Sequence, residues 1–289
     1  MAARSPTPAP SGHPTPDGKY AFIANEWGKL TPTSDKGNIG IIALDKQRDG
    51  RTTGTQVGFI PIVGSGLAGV SFSPSGKRAF VPAEYVNATE NETLSGTNNA
   101  SLISTQCFKD SPQATGSNGA LNVIDVAKAI QGAATPGSAP NVIGNAVVTS
   151  VAAACSPVRA EATQDGSSVW ITARGSNELL QFDRTRLAVD PDHALLQSVG
   201  SNGLLPVGLY LDPVRPYLMV TNTNRWTRAR RARRAGWLRP STRWTFRSLI
   251  SRRRTPGWFR RSRPGCFHAR LPRSTAGEPN LSTISIPPP

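Results

Sequence analysis

Three charged residues are of types that could do chemistry together. Arg159 and Arg174 are cations able to polarise a carbonyl oxygen, and Glu161 is a carboxylate able to activate water. The same side chains suit a salt bridge between neighbouring repeats or an exposed pair, so residue type leaves both uses open. Glu26, Glu84 and Asn224 are the candidate ligand-binding residues. Glu26, Glu84 and Arg174 share one register, each just past an apolar strand-like run, where a fourth run is followed by Thr223.

Other motifs fail on their own mechanics. Gly64-Ser-Gly-Leu-Ala-Gly69 matches a dinucleotide fingerprint, but Val70-Ser-Phe-Ser-Pro follows where a helix should receive the pyrophosphate. Gly76-Lys77 is followed by Arg78 rather than the Ser or Thr that holds magnesium in a phosphate-binding loop. No G-x-S-x-G or H-E-x-x-H occurs, and His13, His193 and His268 are far apart. The three Cys lack C-x-x-C spacing, and Asp190-Pro-Asp192-His193 reads as an exposed turn more readily than as a cation site. No metal and no cofactor is expected.

The elements that must position the charged residues are repeats. Pro16–Asn25, Pro74–Ala83, Gln164–Ala173 and Pro213–Asn222 each hold a tight turn and then a short strand rich in Val, Ile, Phe, Trp or Leu. Two of the turns are Asp-Gly, which supplies the positive φ of a hairpin turn. Before the turn, Gly69-Val-Ser-Phe-Ser, Arg159-Ala-Glu-Ala-Thr and Gly208-Leu-Tyr-Leu-Asp align without a gap and alternate as strands do. A third strand closes on an acid at Ile39–Asp45, Ala120–Asp125 and Glu178–Asp183. A fourth runs through Phe59–Gly64 and, less clearly, Ser198–Gly200. Val126–Gln131 is the one expected helix.

Each unit is thus an antiparallel meander of about four strands, the composition of a propeller blade. The turns PDGK and QDGS, strands ending Ala-Asn or Thr-Asn, and closings Val-Ile-Asp or Gln-Phe-Asp resemble YVTN-type β-propeller repeats. That lactonase-like group is related to 6-phosphogluconolactonase and usually has seven blades. The resemblance covers roughly residues 13–225 and is strongest at 165–183 and 216–225. It implies an all-β fold, with about three complete blades and part of a fourth visible. It also implies a site at the channel mouth, where Arg159 and Glu161 lie on an inner strand. Residues 1–12 are expected to be irregular, and 87–118 to be a polar surface insert.

The net charge of +15 suggests a polyanion binder until it is divided. Residues 225–289 hold 17 Arg, no Lys and one acid, Glu278, whereas residues 1–224 are close to neutral. RARRARR (228–234), SRRR (251–254) and FRRSR (259–263) are interleaved with Trp226, Trp237, Trp244 and Trp258. Arginine with aromatics can serve phosphates and bases. It is also what a GC-rich coding sequence gives when read out of frame, and a disordered or out-of-frame tail over 226–289 is the expectation.

No apolar run is long enough to span a bilayer, so no membrane role is expected. The start lacks an apolar segment behind Arg4 and is no secretory signal as written. The sequons at Asn87, Asn91 and Asn99, and a possible Cys107–Cys155 disulfide, favour a secreted parent protein. The leading expectation is a secreted scaffold that binds a small molecule or protein through the channel face. A lactonase-like hydrolase or cycloisomerase is the alternative that the resemblance implies. Polyanion binding through the tail is the third, with nucleic acid disfavoured.

Overall fold

The computed structural model describes residues 11–26, 36–102, 118–213, 217–223 and 280–285. They form four largely antiparallel sheets. The first contains β1 (Ser11–Pro14), β2 (Tyr20–Asn25), β3 (Asn38–Lys46) and β4 (Thr52–Pro61). In the second, β5 (Ser65–Leu67) and β6 (Ser71–Phe72) both pair with β7 (Arg78–Tyr85), followed by β8 (Ala120–Asp125). The short β9 (Asn141–Val142) joins the first sheet parallel to β4, and β10 (Val147–Ala152) completes the second. The third holds β11 (Pro157–Ala162), β12 (Ser168–Ala173), β13 (Glu178–Asp183) and β14 (Leu195–Gly200). The fourth holds β15 (Pro206–Leu211), β16 (Tyr217–Asn222) and β17 (Asn280–Ser285).

The turns explain why the meanders repeat. Gly18, Gly76 and Gly166 take φ of 67°, 68° and 68°, conformations that cost other residues a clash at Cβ. Thr15 and Thr163 donate their hydroxyls to Asp17 and Asp165 at 2.6 and 2.5 Å. The same carboxylates accept the Lys19 and Ser167 amides at 3.1 and 3.0 Å. Each turn therefore satisfies its own backbone before any tertiary contact forms.

Strand alternation then stacks the sheets face to face. On β7, Ala79, Val81 and Ala83 enter a core shared with Phe22, Ile39 and Ile41 of the first sheet, while Phe80 points the other way. On β12, Val169 and Ile171 join Phe80 and Leu121, and Trp170 instead packs with Leu209, Leu218 and Val220 of the fourth sheet. The second and third sheets are thus covered on both faces, which is why β12 is buried along its whole length. Burying one large apolar side chain contributes about 1.5–3 kcal/mol, so this double burial dominates the fold's stability.

The acid that closes the third strand has a local role. Asp125 caps α2 (Val126–Gln131) by accepting the Lys128 amide at 3.1 Å, and Asp183 caps α3 (Arg184–Val189) through the Arg186 amide at 2.9 Å. The sequence pattern marks the first of these helices and misses the second.

Three expectations are corrected. Strand β1 begins at Ser11, inside the segment expected to be irregular, and pairs with β2 from Ser11↔Ala24 to Pro14↔Ala21. The described part of the 87–118 insert is not merely a surface loop. Asn87 forms a capping box with Glu90 on α1 (Ala88–Asn91), Ser95 bridges to Val151, and Leu94 and Leu102 are buried in the core. Within the expected tail, Asn280–Ser285 is a strand in register with β16, from Asn222↔Asn280 to Tyr217↔Ser285. Its Leu, Thr and Ile favour a strand, and β16 offers an otherwise open edge.

Candidate functional site

The strand before the turn in each sheet, β1, β6, β11 and β15, runs into that turn at an equivalent residue: Thr15, Ser73, Thr163 and Asp212. Two residues earlier stand His13, Ser71, Glu161 and Tyr210, and four earlier stand Gly69, Arg159 and Gly208. The positions between them, Val70, Ala160 and Leu209, are buried in the cores. Period-two geometry therefore puts the first two sets on the opposite sheet faces, where His13, Ser71 and Glu161 stand across from Phe22, Phe80 and Trp170, on the strand at one edge of each meander. His13 and Tyr210 are exposed, Glu161 and Arg159 half-buried, and Ser71 buried with its Oγ unpartnered.

Arg159 is the electrostatic centre of this edge. A register shift between Pro157 and Arg159 bulges β11, and the Arg159 amide donates to Thr172 Oγ1 at 3.0 Å. Although His13 is open to solvent on one side, partial desolvation of its ring lowers its pKa, and the nearby Arg159 guanidinium lowers it further. Burial raises the Glu161 carboxyl, with Arg159 opposing the rise. No ion pair joins Arg159 to Glu161, and neither side chain makes a hydrogen bond to any described residue.

Arg174 lies elsewhere. It follows β12, and its guanidinium pairs with Glu84 of β7 at 2.5 Å, tying the third sheet to the second. Burial raises the Glu84 carboxyl, Arg174 works against that, and the neighbouring Glu26 carboxylate adds to it. The structure thus brings together Glu26, Glu84 and Arg174 as one group and Arg159 and Glu161 as another. The three residues first considered for catalysis are divided between them. Arg159 and Glu161 can hold a ligand or water between opposite charges, whereas Arg174 is committed to a structural pair.

Asn224 and Cys107 lie outside the described residues. Cys155 is buried and disulfide-bonded, with its partner also outside them. Asn87 is exposed with its Oδ1 accepting the Glu90 amide, and Asn91 is half-buried. Asn99 lines a cleft of about 490 Å3 with Gly96, Asn98, Ala100, Asp192 and His193. That cleft is closed at one side by the Gly96 amide, which donates to Asp192 Oδ1 at 2.6 Å. A hydrogen bond to Asp190 raises the exposed His193, so the turn read in the sequence is one wall of the cleft. Among the described residues no group of His, Cys, Asp or Glu is placed to hold a metal, and no helix is long and apolar enough to cross a membrane.

Sequence reasoning passed over His13 and Tyr210. Counting back two residues from Thr15 would have aligned His13 with Glu161, but Pro14 and Pro16 around it hide the strand. Tyr210 carries no signal in the sequence beyond the alternation of its strand.

No protein family and no curated protein matches the chain. Among solved structures, similarity is found to hydrazine synthase of Kuenenia stuttgartiensis, at 16% identity and a TM-score of 0.43, covering 72% of this chain and 54% of that one. Chaetomium thermophilum Sqt1, solved bound to the N-terminus of ribosomal protein L10, is similar at 14% identity and a TM-score of 0.43, with 73% and 42% covered. The chain spans about half the length of these two structures.

Proposed function

We propose that this chain is a YVTN-type β-propeller segment of a secreted protein, binding a small ligand or partner at the edge that carries His13, Arg159, Glu161 and Tyr210. The observation that carries the reading is Arg159 and Glu161 standing half-buried, opposite in charge and unpaired, on a strand whose sisters have polar side chains at the rank of Glu161 and, in two of them, glycine at that of Arg159. An ion pair that served stability alone would be closed, as Arg174–Glu84 is. The buried disulfide at Cys155 supports an oxidising compartment, and the exposed Asn87 is open to a glycan.

The lactonase-like alternative is weakened by the commitment of Arg174 to Glu84. It would have to run on Arg159 and Glu161 alone, as a cation for the carbonyl oxygen and a carboxylate for water. The tail reading rests on residues outside those described.

A panel of small metabolites screened by thermal shift tests the proposal, comparing the natural chain with Arg159→Met and Glu161→Gln variants that keep the same far-ultraviolet circular dichroism. At least one compound should stabilise the natural chain and lose its effect in a variant. If every stabilising compound acts equally on all three proteins, the binding face is wrong.

A further inference from the structure

Resting on that reading, we infer that the ligand is a zwitterion whose carboxylate meets Arg159 and whose ammonium meets Glu161, an α-amino acid or a compound with the same adjacent charges. The two residues are two positions apart on β11, so their side chains leave the strand on the same side, with Cα atoms about 7 Å apart. Each lies within the other's field, yet they neither close into an ion pair nor bond to another described residue. Two half-buried opposite charges held apart leave desolvation only partly compensated, a cost that a bridging ligand reduces.

The neighbours narrow the choice. Among the described residues at these two ranks, Glu161 is the one acid and Arg159 the one strong base, while the exposed His13 and Tyr210 add an imidazole and a hydroxyl. Partial desolvation and Arg159 both disfavour the charged form of His13, which weakens it as a rival cation for the carboxylate. A simple anion placed on Arg159 would be repelled by Glu161, and a simple cation placed on Glu161 would be repelled by Arg159. Only a ligand carrying both charges side by side is favoured by both residues. Carboxylate and guanidinium can also pair in bidentate fashion, which fixes the ligand's orientation.

The test is titration calorimetry on the full chain with three probes of matched size: L-alanine, propionate, which lacks the ammonium, and ethylammonium, which lacks the carboxylate. L-alanine should bind at least about tenfold more tightly than either, the effect of losing one charge-assisted contact. Glu161→Gln should bring L-alanine down to the level of propionate without weakening propionate, and Arg159→Met should abolish both. Circular dichroism and melting confirm that the variants fold. If propionate matches L-alanine in the natural chain, the site takes plain anions and the zwitterion is wrong. If none of the three binds while other compounds depend on Arg159 and Glu161, this inference falls and the binding face stands. If no compound depends on either residue, both fall.

Discussion

Replacing Arg174 with Met isolates the pair that ties the second and third sheets. Glu84 has a side chain only 9% exposed, whereas Arg174 is 33% exposed. Removing one partner of a fully buried pair costs roughly 3–5 kcal/mol, and an exposed pair is worth about 0–1 kcal/mol. With one end buried and the other a third open, Arg174→Met should cost about 2 kcal/mol at pH 7, a fall in Tm of roughly 4–8 °C. The sign of the pH dependence follows from Glu84. Burial already holds its folded-state pKa above the ordinary carboxylate value, and loss of Arg174 moves it higher. A carboxyl raised in the folded state binds protons more readily there than in the unfolded chain. Its favourable contribution is complete below the unfolded pKa and is lost as pH rises through the folded one. The variant's deficit should therefore be largest at pH 7 and shrink as the pH falls and Glu84 protonates. Glu84→Gln in the Arg174→Met background should restore most of the loss at pH 7. Urea and thermal melts of these three proteins between pH 7 and pH 4 measure this. A deficit below about 0.5 kcal/mol at pH 7, typical of surface changes, would refute the reasoning, as would one unchanged by pH.

Further outcomes are expected at the supports of the sheets. Leu102→Ala should lose about 2–5 kcal/mol in chemical denaturation, because Leu102 is fully buried in the core; a loss typical of a loop residue would show the insert to be peripheral. Asn122, fully buried, accepts from the Val63 amide and the Ser150 hydroxyl and donates to the Val63 and Val81 carbonyls, so Asn122→Leu should cost roughly 3 kcal/mol by stranding these groups. Gly119→Ala should abolish soluble expression or lower Tm sharply, since its Cβ would overlap the Pro157 ring and press on the Ala83 carbonyl. Asp125→Ala should cost about 1 kcal/mol at pH 7 through loss of the α2 cap. Burial alone would raise the Asp125 carboxyl, but the Lys128 amide and Arg78 outweigh it and hold the pKa low. The difference between Asp125→Ala and the natural chain should therefore vanish as pH falls through that lowered value in acid melts.

The sheet cores were readable because period-two alternation and the turn chemistry of Asp17-Gly18 and Asp165-Gly166 act over a few residues. Ala120–Asp125, Glu178–Asp183 and Val126–Gln131 match their expected bounds for that reason. The Glu26, Glu84 and Arg174 group was legible as a shared register, but not as an ion pair, because Glu84 and Arg174 are brought together only by the stacking of two sheets. The separation of Arg174 from Glu161 was hidden likewise. Helix α3 escaped because its six residues are too short for a periodic signal and announce themselves only through the Asp183 cap. Leu94 and Leu102 escaped because isolated apolar residues in a polar stretch carry no period at all.

The pairing of β16 with β17 sets a timetable for the chain's synthesis. Most strand neighbours here are separated by short connections, and each can pair soon after leaving the ribosome. Strand β16 must instead await Asn280–Ser285, with residues 223–279 translated in between. At about 5–20 residues per second, that interval lasts roughly 3–11 s. For those seconds the outer edge of Tyr217–Asn222 presents unpaired backbone donors and acceptors to any neighbouring nascent chain. Slow translation or crowded polysomes would lengthen the exposure, making this one edge the point at which synthesis rate governs how much of the protein assembles correctly.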